Sequence, residues 1–277
     1  MPDGAVHLDF DLDAAARDYA RDGVVKLPGV VSAEWLARLR AVIDAFRAHD
    51  PGAGNTVHYG HGRGRLTMRW MWRTNPAILA WARRSGIAPV IAHIIGAREL
   101  KLWYDLTFIH SPGIDAEGTP WHHDLAAFPF KGGMNPSFWL AMTEVTAATA
   151  PLTCIKGTHR APKMFRPTVY TDPHLPLPPD YVDQPDWDAK IAAGEVETVW
   201  WPLQPGDALL IHPGTVHGAP PMAAADGQRI GFTTRWMGED VTWRPDAFSM
   251  KIPGIDNAQV PVGARPTGPE FPVVWRR

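Results

Sequence analysis

The residues of this chain that are best suited to chemistry are a His-x-Asp pair, His122 and Asp124, and a histidine much further along, His217. Side chains two residues apart on a β-strand project from the same face, so we expect His122 and Asp124 to point in one direction. Two imidazole nitrogens and one carboxylate oxygen on one side of a metal form the facial triad of non-haem Fe(II) oxygenases, which leaves positions open for a co-substrate and O2. The sequence therefore predicts a metal site made by His122, Asp124 and His217.

Each of these assignments has a structural alternative. A lone His-x-Asp pair is common by chance and usually lies on the surface, but this one follows Pro-Trp and precedes a strand-like segment. His123 would project from the opposite face of the strand, which favours a place in the core or behind the ligands. His212, which ends a predicted strand directly before a proline, is the alternative to His217 as the distal ligand, although a structural role also suits it.

A second feature is the strand predicted at 229–236, where Arg229, Thr233 and Arg235 share one face. A guanidinium group donates two parallel hydrogen bonds to a carboxylate, so an arginine here could hold a dicarboxylate, and the hydroxyl of Thr233 could add a donor. Arg229 is the favoured anchor and Arg235 is the alternative. If Arg229 has no role in binding, the alternative is that it forms a salt bridge at the surface.

The composition is that of an ordinary globular protein. The chain has 277 residues, of which 45% are hydrophobic and 20% charged, and its net charge of −2 gives no electrostatic footprint for nucleic acid or an anionic membrane. The single cysteine, Cys154, excludes an internal disulfide and fits a reducing compartment. The first residues form no basic and apolar leader, and no segment reaches the ~18 apolar residues of a transmembrane helix, so we expect a cytoplasmic protein.

Hydrophobic periodicity predicts helices near 12–22, 32–48 and 76–95, with Ser32 as the N-cap of the second. A Gly-rich stretch at 50–65 is expected to be a loop. From about residue 99 the period changes to two. The predicted strands include 102–110, 138–146, 151–155, 197–202, 206–212 and 229–236, and His217 is expected in the turn after 206–212.

These elements predict a single domain over 1–277, with helices first and an antiparallel barrel or jelly roll after them. The expected parts are a helical lead-in at about 1–97, a β core at about 98–240 and a C-terminal wrap at 241–277. The core carries a Pro-rich insertion at 161–190, and a stretch of that length in a compact domain is usually a lid or binding loop.

Three separated blocks of the sequence resemble one known family. They are WHHDLAAFPFKGGMNPSFWLAMTEVTAATAPLTCIKGTHR at 121–160, LQPGDALLIHPGTVHG at 203–218 and RIGFTTRWMGEDV at 229–241, and the lead-in DGVVKLPGVV at 22–31 also fits. In this order the blocks resemble the phytanoyl-CoA dioxygenase family, whose members are hydroxylases that depend on Fe(II), 2-oxoglutarate and O2. The resemblance spans nearly the whole chain. It implies a mainly β fold with flanking helices, namely the double-stranded β-helix, a cupin-like jelly roll.

The resemblance also implies roles for individual residues. His122, Asp124 and His217 match the iron ligands, and Arg229 matches the arginine that pairs with the distal carboxylate of 2-oxoglutarate. Trp139 falls where the family places a tryptophan beside that co-substrate. The further expected co-substrate contacts are Leu106, Tyr104 on the same strand face, Thr233 and Arg69.

The chain departs from the family pattern at positions outside the expected metal set. His123 stands where a glutamine is frequent, His110 where a lysine is common, and Ala219 where a serine is common. These departures concern the secondary contacts of the co-substrate and the identity of the substrate.

The expected reaction is the hydroxylation of a small molecule with release of succinate and CO2. A Trp-rich chain with few charges suits an apolar or cyclic substrate, whereas a CoA ester would require a basic cluster, for which Arg65, Arg69 and Arg73 are candidates. The carboxylate of Asp124 argues against a halogenating enzyme, because such enzymes have no carboxylate ligand at this position and chloride binds there instead.

Two other classes of function stay open at this point. One is a cupin-type metalloenzyme that does not use 2-oxoglutarate and would not need Arg229. The other is a non-catalytic protein that binds metal and ligand. Nothing in the sequence resembles a zipper or a swapped strand, so the oligomeric state is also left open.

Overall fold

Four α-helices, interrupted by three short strands, lie in the first third of the chain, and most of the described β structure follows them. The computed structural model describes residues 8–48, 58–62, 65–111, 118–168, 174–222 and 227–277. Its helices are α1 (Leu12–Asp22), α2 (Ala33–Arg47), α3 (Pro76–Arg84), α4 (Ile87–Ile95) and α5 (Trp187–Ala192). Its strands are β1 (Val24–Leu27), β2 (His58–Gly62), β3 (Arg65–Arg69), β4 (Glu99–His110), β5 (Thr119–His122), β6 (Phe130–Lys131), β7 (Ser137–Ala141), β8 (Thr153–Ile155), β9 (Met164–Phe165), β10 (Tyr181–Val182), β11 (Thr198–Val199), β12 (Ala208–Ile211), β13 (His217–Ala219), β14 (Arg229–Met237), β15 (Thr242–Trp243) and β16 (Val273–Arg276).

The first two helices begin and end where the sequence predicts, because side chains cap them. Asp11 at the start of α1 and Ser32 at the start of α2 accept hydrogen bonds from backbone N–H groups of the first turn. The helix predicted at 76–95 is instead two helices, since Gly86 adopts a left-handed φ of 80° between α3 and α4. Among the described residues, no single helix is long and apolar enough to cross a membrane, and α3 and α4 meet that test only as a pair bent by 62°.

Two antiparallel sheets form most of the β structure in the described residues, beside the short pairs β9-β10, which is parallel, and β6-β15. The larger has the strand order β1-β12-β7-β14-β4-β3-β2, with β16 also paired to β4, and the smaller has the order β11-β8-β13-β5. Side chains from both sheets line one cavity, so the sheets face each other as in a jelly roll. The prediction of a mainly β fold with flanking helices is confirmed.

Strand β14 shows how the larger sheet separates the core from the site. Because side chains alternate along a strand, Phe232 and Trp236 project into the main core, whereas Arg229 and Arg235 project into the space between the sheets. The indole of Trp81 in α3 lies 5.8 Å from the ring of Phe232 and 6.0 Å from that of Trp236. The helices thus cover the apolar face of the sheet and leave the polar face for chemistry.

Three local predictions are corrected by the structure. His217, predicted in a turn, is the first residue of β13, which pairs with β5. Residues 58–62, predicted as part of a loop, form β2 against β3, while 49–57 and 63–64 lie outside the described residues. The stretch 161–190 has more regular structure than its composition suggests, since it contains β9, β10 and the start of α5.

The close packing of Gly231 against Trp139 predicts a sensitive position. A Cβ atom at Gly231 would lie 2.6 Å from the Trp139 ring, so the ring or the strand would have to shift. We expect G231A to lower the free energy of unfolding by about 1–3 kcal/mol, as overpacked cores do. Urea titration measures this loss, and the control is G227A, where an added Cβ meets nothing within 4 Å. Equal unfolding free energies for the two variants would contradict the packing described here.

Candidate metal centre

The structure brings His122, Asp124 and His217 together between the two sheets. One ligand atom from each of the three side chains lies within 4.8 Å of the others. His122 ends β5 and His217 begins β13, and the two residues are direct partners in the antiparallel register, with ring centroids 4.3 Å apart. Strand pairing therefore places the two histidines next to each other, although 95 positions separate them in the sequence.

Asp124 reaches the site in a different way from the one that the sequence predicts. Strand β5 ends at His122, and Asp124 begins a 3-10 turn that runs to Ala127. His123 between them keeps an extended backbone, with φ of −123° and ψ of 148°. The period-two geometry therefore continues past the end of the strand, and His122 and Asp124 still face the same side.

Backbone carbonyl groups orient the two imidazole rings. Nδ1 of His122 lies 2.8 Å from the oxygen of Pro120, and Nδ1 of His217 lies 2.9 Å from the oxygen of Thr215. A carbonyl only accepts, so each Nδ1 carries the proton and donates it, which leaves Nε2 with a lone pair for a metal. Burial, followed by the neighbouring His217, lowers the pKa of His122 to about 3, so this ring is neutral at pH 7.

The carboxylate of Asp124 is held by two donors from the larger sheet. Ser137 Oγ donates to Oδ2 at 2.9 Å, and Arg235 Nη2 donates to Oδ1 at 2.9 Å. Burial alone would raise the pKa of Asp124, but the charge of Arg235, the two histidines and the bond from Ser137 outweigh it and lower the pKa. The carboxylate is therefore ionised and correctly placed for a cation. Ser137 was not among the predicted site residues, although it lies on the same face of β7 as Trp139, two residues before it.

A small inner cavity adjoins this triad. Its volume is about 80 Å³, and Trp139, Arg229 and Thr233, all predicted to contact a co-substrate, lie in its wall. Arg229 is 4% exposed, and its Nη2 lies 2.9 Å from Nε2 of His110. The hydroxyl of Thr233 is buried and has no hydrogen-bond partner among the described residues. A buried guanidinium and an unsatisfied hydroxyl on one wall are suited to an anion with carboxylate geometry.

A larger outer cavity of about 400 Å³ opens on the other side of the triad. Arg69, Tyr104 and Leu106, which were also predicted to contact the co-substrate, line this outer cavity and not the inner one. The two cavities share parts of their walls. The shared residues are Phe108, His122, Asp124 and Arg235. The candidate metal site therefore lies at the junction of a small inner cavity and a larger outer one.

Two distant parts of the chain cover the outer cavity. Leu175 from the predicted insertion and residues 247–251 from the C-terminal wrap contribute to its wall. A buried polar cluster joins them, since Tyr181 donates to Asp246 Oδ2 at 2.6 Å and Nζ of Lys131 lies 3.4 Å from the same oxygen. This cluster ties both segments to the core beside the metal site.

Neither His123 nor His212 occupies a ligand position. His123 lines the outer cavity, and its Nε2 accepts a hydrogen bond of 3.0 Å from the N–H of Phe165 in β9. His212 lies outside both cavities, with its ring 5.0 Å from that of His159 and its Nδ1 accepting from the N–H of Gly214. The geometry thus favours His217 over His212 as the distal ligand.

Comparison with known proteins identifies the family. The chain matches the family model for phytanoyl-CoA dioxygenase (PhyH) over residues 19–230. It belongs to the phytanoyl-CoA dioxygenase family. A curated relative, the probable phytanoyl-CoA dioxygenase of Caenorhabditis elegans, is 27% identical over 150 residues, which cover 52% of this chain and 46% of the relative. The match thus spans about half the length of that relative.

Solved structures similar to this one are non-haem enzymes of the same fold. The α-ketoglutarate-dependent epimerase SnoN from nogalamycin biosynthesis has a TM-score of 0.72 and 25% identity, with 96% of each chain covered. The carbocyclase SnoK from the same biosynthesis has a TM-score of 0.72, 20% identity and coverage of 98% of this chain and all of its own. EctD from S. alaskensis has a TM-score of 0.63 and 17% identity, with 89% and 84% covered. The predicted family and the predicted double-stranded β-helix are both confirmed.

The hydrogen bond from Ser137 to Asp124 predicts a measurable effect on metal affinity. We expect S137A to bind Mn(II), an air-stable probe for the site, about tenfold more weakly, because groups behind the ligands typically contribute that much. Calorimetric titration of the metal-free protein measures it. S111A is the control, since the hydroxyl of Ser111 likewise makes one side-chain hydrogen bond, in which it accepts from Gln228, but does not line either cavity. Unchanged affinity in S137A would remove Ser137 from the metal site.

The buried His212 predicts that acid destabilises the protein. Burial, with smaller effects from His159 and His123, lowers the pKa of His212 to about 4. Between pH 6.5 and pH 4 the unfolded chain takes up a proton at this position that the folded chain does not, so stability falls as the pH falls. For metal-free H212N we expect the loss of unfolding free energy between pH 7 and pH 5 to be smaller by about 2 kcal/mol.

Urea titrations at the two pH values measure this difference. H174N, at a histidine exposed to solvent, is the matched control and should keep the acid sensitivity of the unsubstituted protein. The same sensitivity in H212N would show that other groups account for it.

Proposed function

We propose that this protein is an Fe(II)- and 2-oxoglutarate-dependent oxygenase that oxidises a small molecule. The observation that carries the proposal is the junction of two cavities at which two histidines and one aspartate meet within 4.8 Å, beside a buried arginine. Membership of the family supports it. So does a structure of SnoN, 24% identical to this chain, which holds Fe3+, α-ketoglutarate and nogalamycin RO.

The donor set fits the proposed metal. Two imidazoles and one ionised carboxylate, all approaching from one side, suit non-haem Fe(II), and His122, Asp124 and His217 would hold it. The chemistry supplied there by iron, 2-oxoglutarate and O2 is decarboxylation of the co-substrate to succinate and CO2, coupled to oxidation of the substrate. The residues of this chain hold the ligands in place and separate the reacting groups from bulk water.

We assign Arg229, rather than Arg235, as the partner of the distal carboxylate of 2-oxoglutarate. Arg235 already pairs with Asp124, whereas Arg229 lies in the inner cavity away from that carboxylate. Its guanidinium would donate to the co-substrate while His110 fixes its orientation, and the hydroxyl of Thr233 would gain the partner it lacks. Trp139 forms an apolar wall that keeps water from this ion pair.

The reaction that we propose is hydroxylation. A substrate in the outer cavity would lie next to His122 and Asp124 and apart from the inner wall that contains Arg229. SnoN is an epimerase and SnoK is a carbocyclase, and those activities are properties of those two proteins. A cupin-type enzyme without 2-oxoglutarate would give the buried Arg229 no role.

Substitution of Arg229 tests the assignment of the co-substrate site. We expect R229M to bind 2-oxoglutarate at least about a hundredfold more weakly, because a buried charge pair is lost, and to bind Mn(II) as before. R229K should recover part of the affinity. The measurements are succinate release and calorimetric titration of 2-oxoglutarate.

The matched control is R47M, since Arg47 is exposed and bonds to Gln228 directly before β14. It should leave both measurements unchanged. Full affinity for 2-oxoglutarate in R229M would overturn the assignment.

A further inference from the structure

Two segments that cover the outer cavity are bonded to the turn that carries Asp124. They are residues 174–182 of the insertion and residues 244–251 of the C-terminal wrap, and together they are called the cover. Parts of both segments line the cavity. The backbone N–H of Met250 in the wrap donates to the carbonyl oxygen of Ala127 at 2.8 Å. The cover is thus attached directly to the residues that follow the proposed metal ligand.

Lys131 connects the same turn to both segments of the cover. Its Nζ donates to the carbonyl oxygens of Leu125 at 3.2 Å and of Phe128 at 3.3 Å. It also donates to Oη of Tyr181 in the insertion at 3.3 Å, and it lies 3.4 Å from Oδ2 of Asp246 in the wrap. The side chain of Lys131 is only 12% exposed. A buried ammonium group requires acceptors, and here they come from the turn, the insertion and the wrap.

A small apolar cluster joins these three parts independently of the charges. Its buried members are Ala126 of the turn, Tyr181 of the insertion and Phe248 of the wrap, and the rings of Tyr181 and Phe248 lie 5.3 Å apart. The carboxylate of Asp246 bonds to both segments of the cover, since Oδ1 accepts from the N–H of Phe248 at 2.9 Å and Oδ2 accepts from the hydroxyl of Tyr181 at 2.6 Å. The turn and the cover therefore pack as one unit.

A metal ion would restrict the turn further. Arg235 and Ser137 hold the carboxylate of Asp124 from the larger sheet, whereas a shared metal would also join it to His122 and His217 of the smaller sheet. A turn with less freedom presents its carbonyl groups in fixed positions, so less conformational entropy is lost when the cover packs against it. By thermodynamic linkage, a closed cover then raises the affinity for the metal by the same factor.

From these contacts we propose that Lys131 is a positioning residue that couples the metal ligand Asp124 to the cover of the outer cavity. Metal binding and closure of the cover strengthen each other through the bonds of Lys131 to Leu125, Tyr181 and Asp246. The inference rests on the metal site of the proposed function, but not on 2-oxoglutarate or on the oxidation of a substrate.

Hydrogen–deuterium exchange with and without Mn(II) tests the coupling. The reporter is the N–H of Met250, which bonds to the turn, followed by mass spectrometry of peptides that contain it. In the unsubstituted protein we expect saturating Mn(II) to slow its exchange about tenfold, a coupling of ordinary size. In K131M the slowing should fall to about threefold or less, and Mn(II) should bind about threefold more weakly in a calorimetric titration, because the two effects are reciprocal.

K101M is the matched control for a general loosening of the wrap. Lys101 is also buried and also bonds to the C-terminal wrap, through the carbonyl oxygen of Pro266 at 2.6 Å, but it lines neither cavity. We expect K101M to keep both the tenfold slowing by Mn(II) and the affinity for Mn(II). A role of Lys131 in stability alone would instead make the two variants alike.

D246N is the second variant, for the case that K131M does not fold. It keeps the size of the side chain but places an amide donor opposite Lys131 and Tyr181, so the slowing by Mn(II) should again fall to about threefold or less. Undiminished slowing in K131M, or in D246N if K131M does not fold, would overturn the inference. An equal loss of slowing in K101M would overturn it as well.

The outcomes for the two proposals are distinguishable. Mn(II) that binds without slowing the exchange of Met250 in the unsubstituted protein would overturn the coupling and leave the metal site in place. Slowed exchange that depends on Lys131, combined with no succinate release under any condition, would sustain the coupling and reject the oxygenase. A protein that binds no Mn(II) would overturn both.

Discussion

The ion pair between Asp124 and Arg235 is the interaction on which the rest of the site depends. It joins the turn after β5 in the smaller sheet to β14 in the larger one, at 2.9 Å and nearly out of contact with solvent. A buried carboxylate needs such a partner, since removing one charge of a buried pair costs about 3–5 kcal/mol. Phe128 lies 4.5 Å and Tyr104 5.3 Å from the guanidinium carbon, so the cation is also packed between aromatic rings. The carboxylate that we propose as a metal ligand is therefore fixed before any metal arrives.

This pair also determines what each cavity can do. Because Arg235 is paired with Asp124, the anchor that we propose for an anion in the inner cavity is Arg229, on the same strand face six residues earlier. Because Arg235 lines both cavities, it forms part of the partition between them. Side chains alternate along β14, so its other face supplies Phe232 and Trp236 to the hydrophobic core. One strand thus serves stability and chemistry together.

Local rules account for the features that the sequence predicts well. Caps at Asp11 and Ser32 place the helix starts, and an extended backbone at His123 is enough to turn His122 and Asp124 the same way. The family motif locates His217 and Arg229, because these positions are tied to recognisable blocks. A break such as the one at Gly86 is harder to predict, since the apolar pattern continues through it.

Long-range pairing accounts for the features that the sequence does not predict. Whether Arg69 and Tyr104 reach the inner or the outer cavity depends on the register of β3 and β14 against β4, which no local pattern encodes. The role of Ser137 depends in the same way on the approach of β7 to the turn after β5. The cluster around Tyr181 unites three distant segments and has no sequence signature.

We propose that the triad and Arg229 together hold iron and 2-oxoglutarate. Visible spectroscopy under anaerobic conditions is the direct test of this proposal. Fe(II) and then 2-oxoglutarate are added to the metal-free protein. We expect a weak metal-to-ligand charge-transfer band that appears only when Fe(II) and 2-oxoglutarate are both present. Iron binding without the band would contradict the role of 2-oxoglutarate and favour a cupin-type enzyme, and binding of neither would contradict the metal site itself.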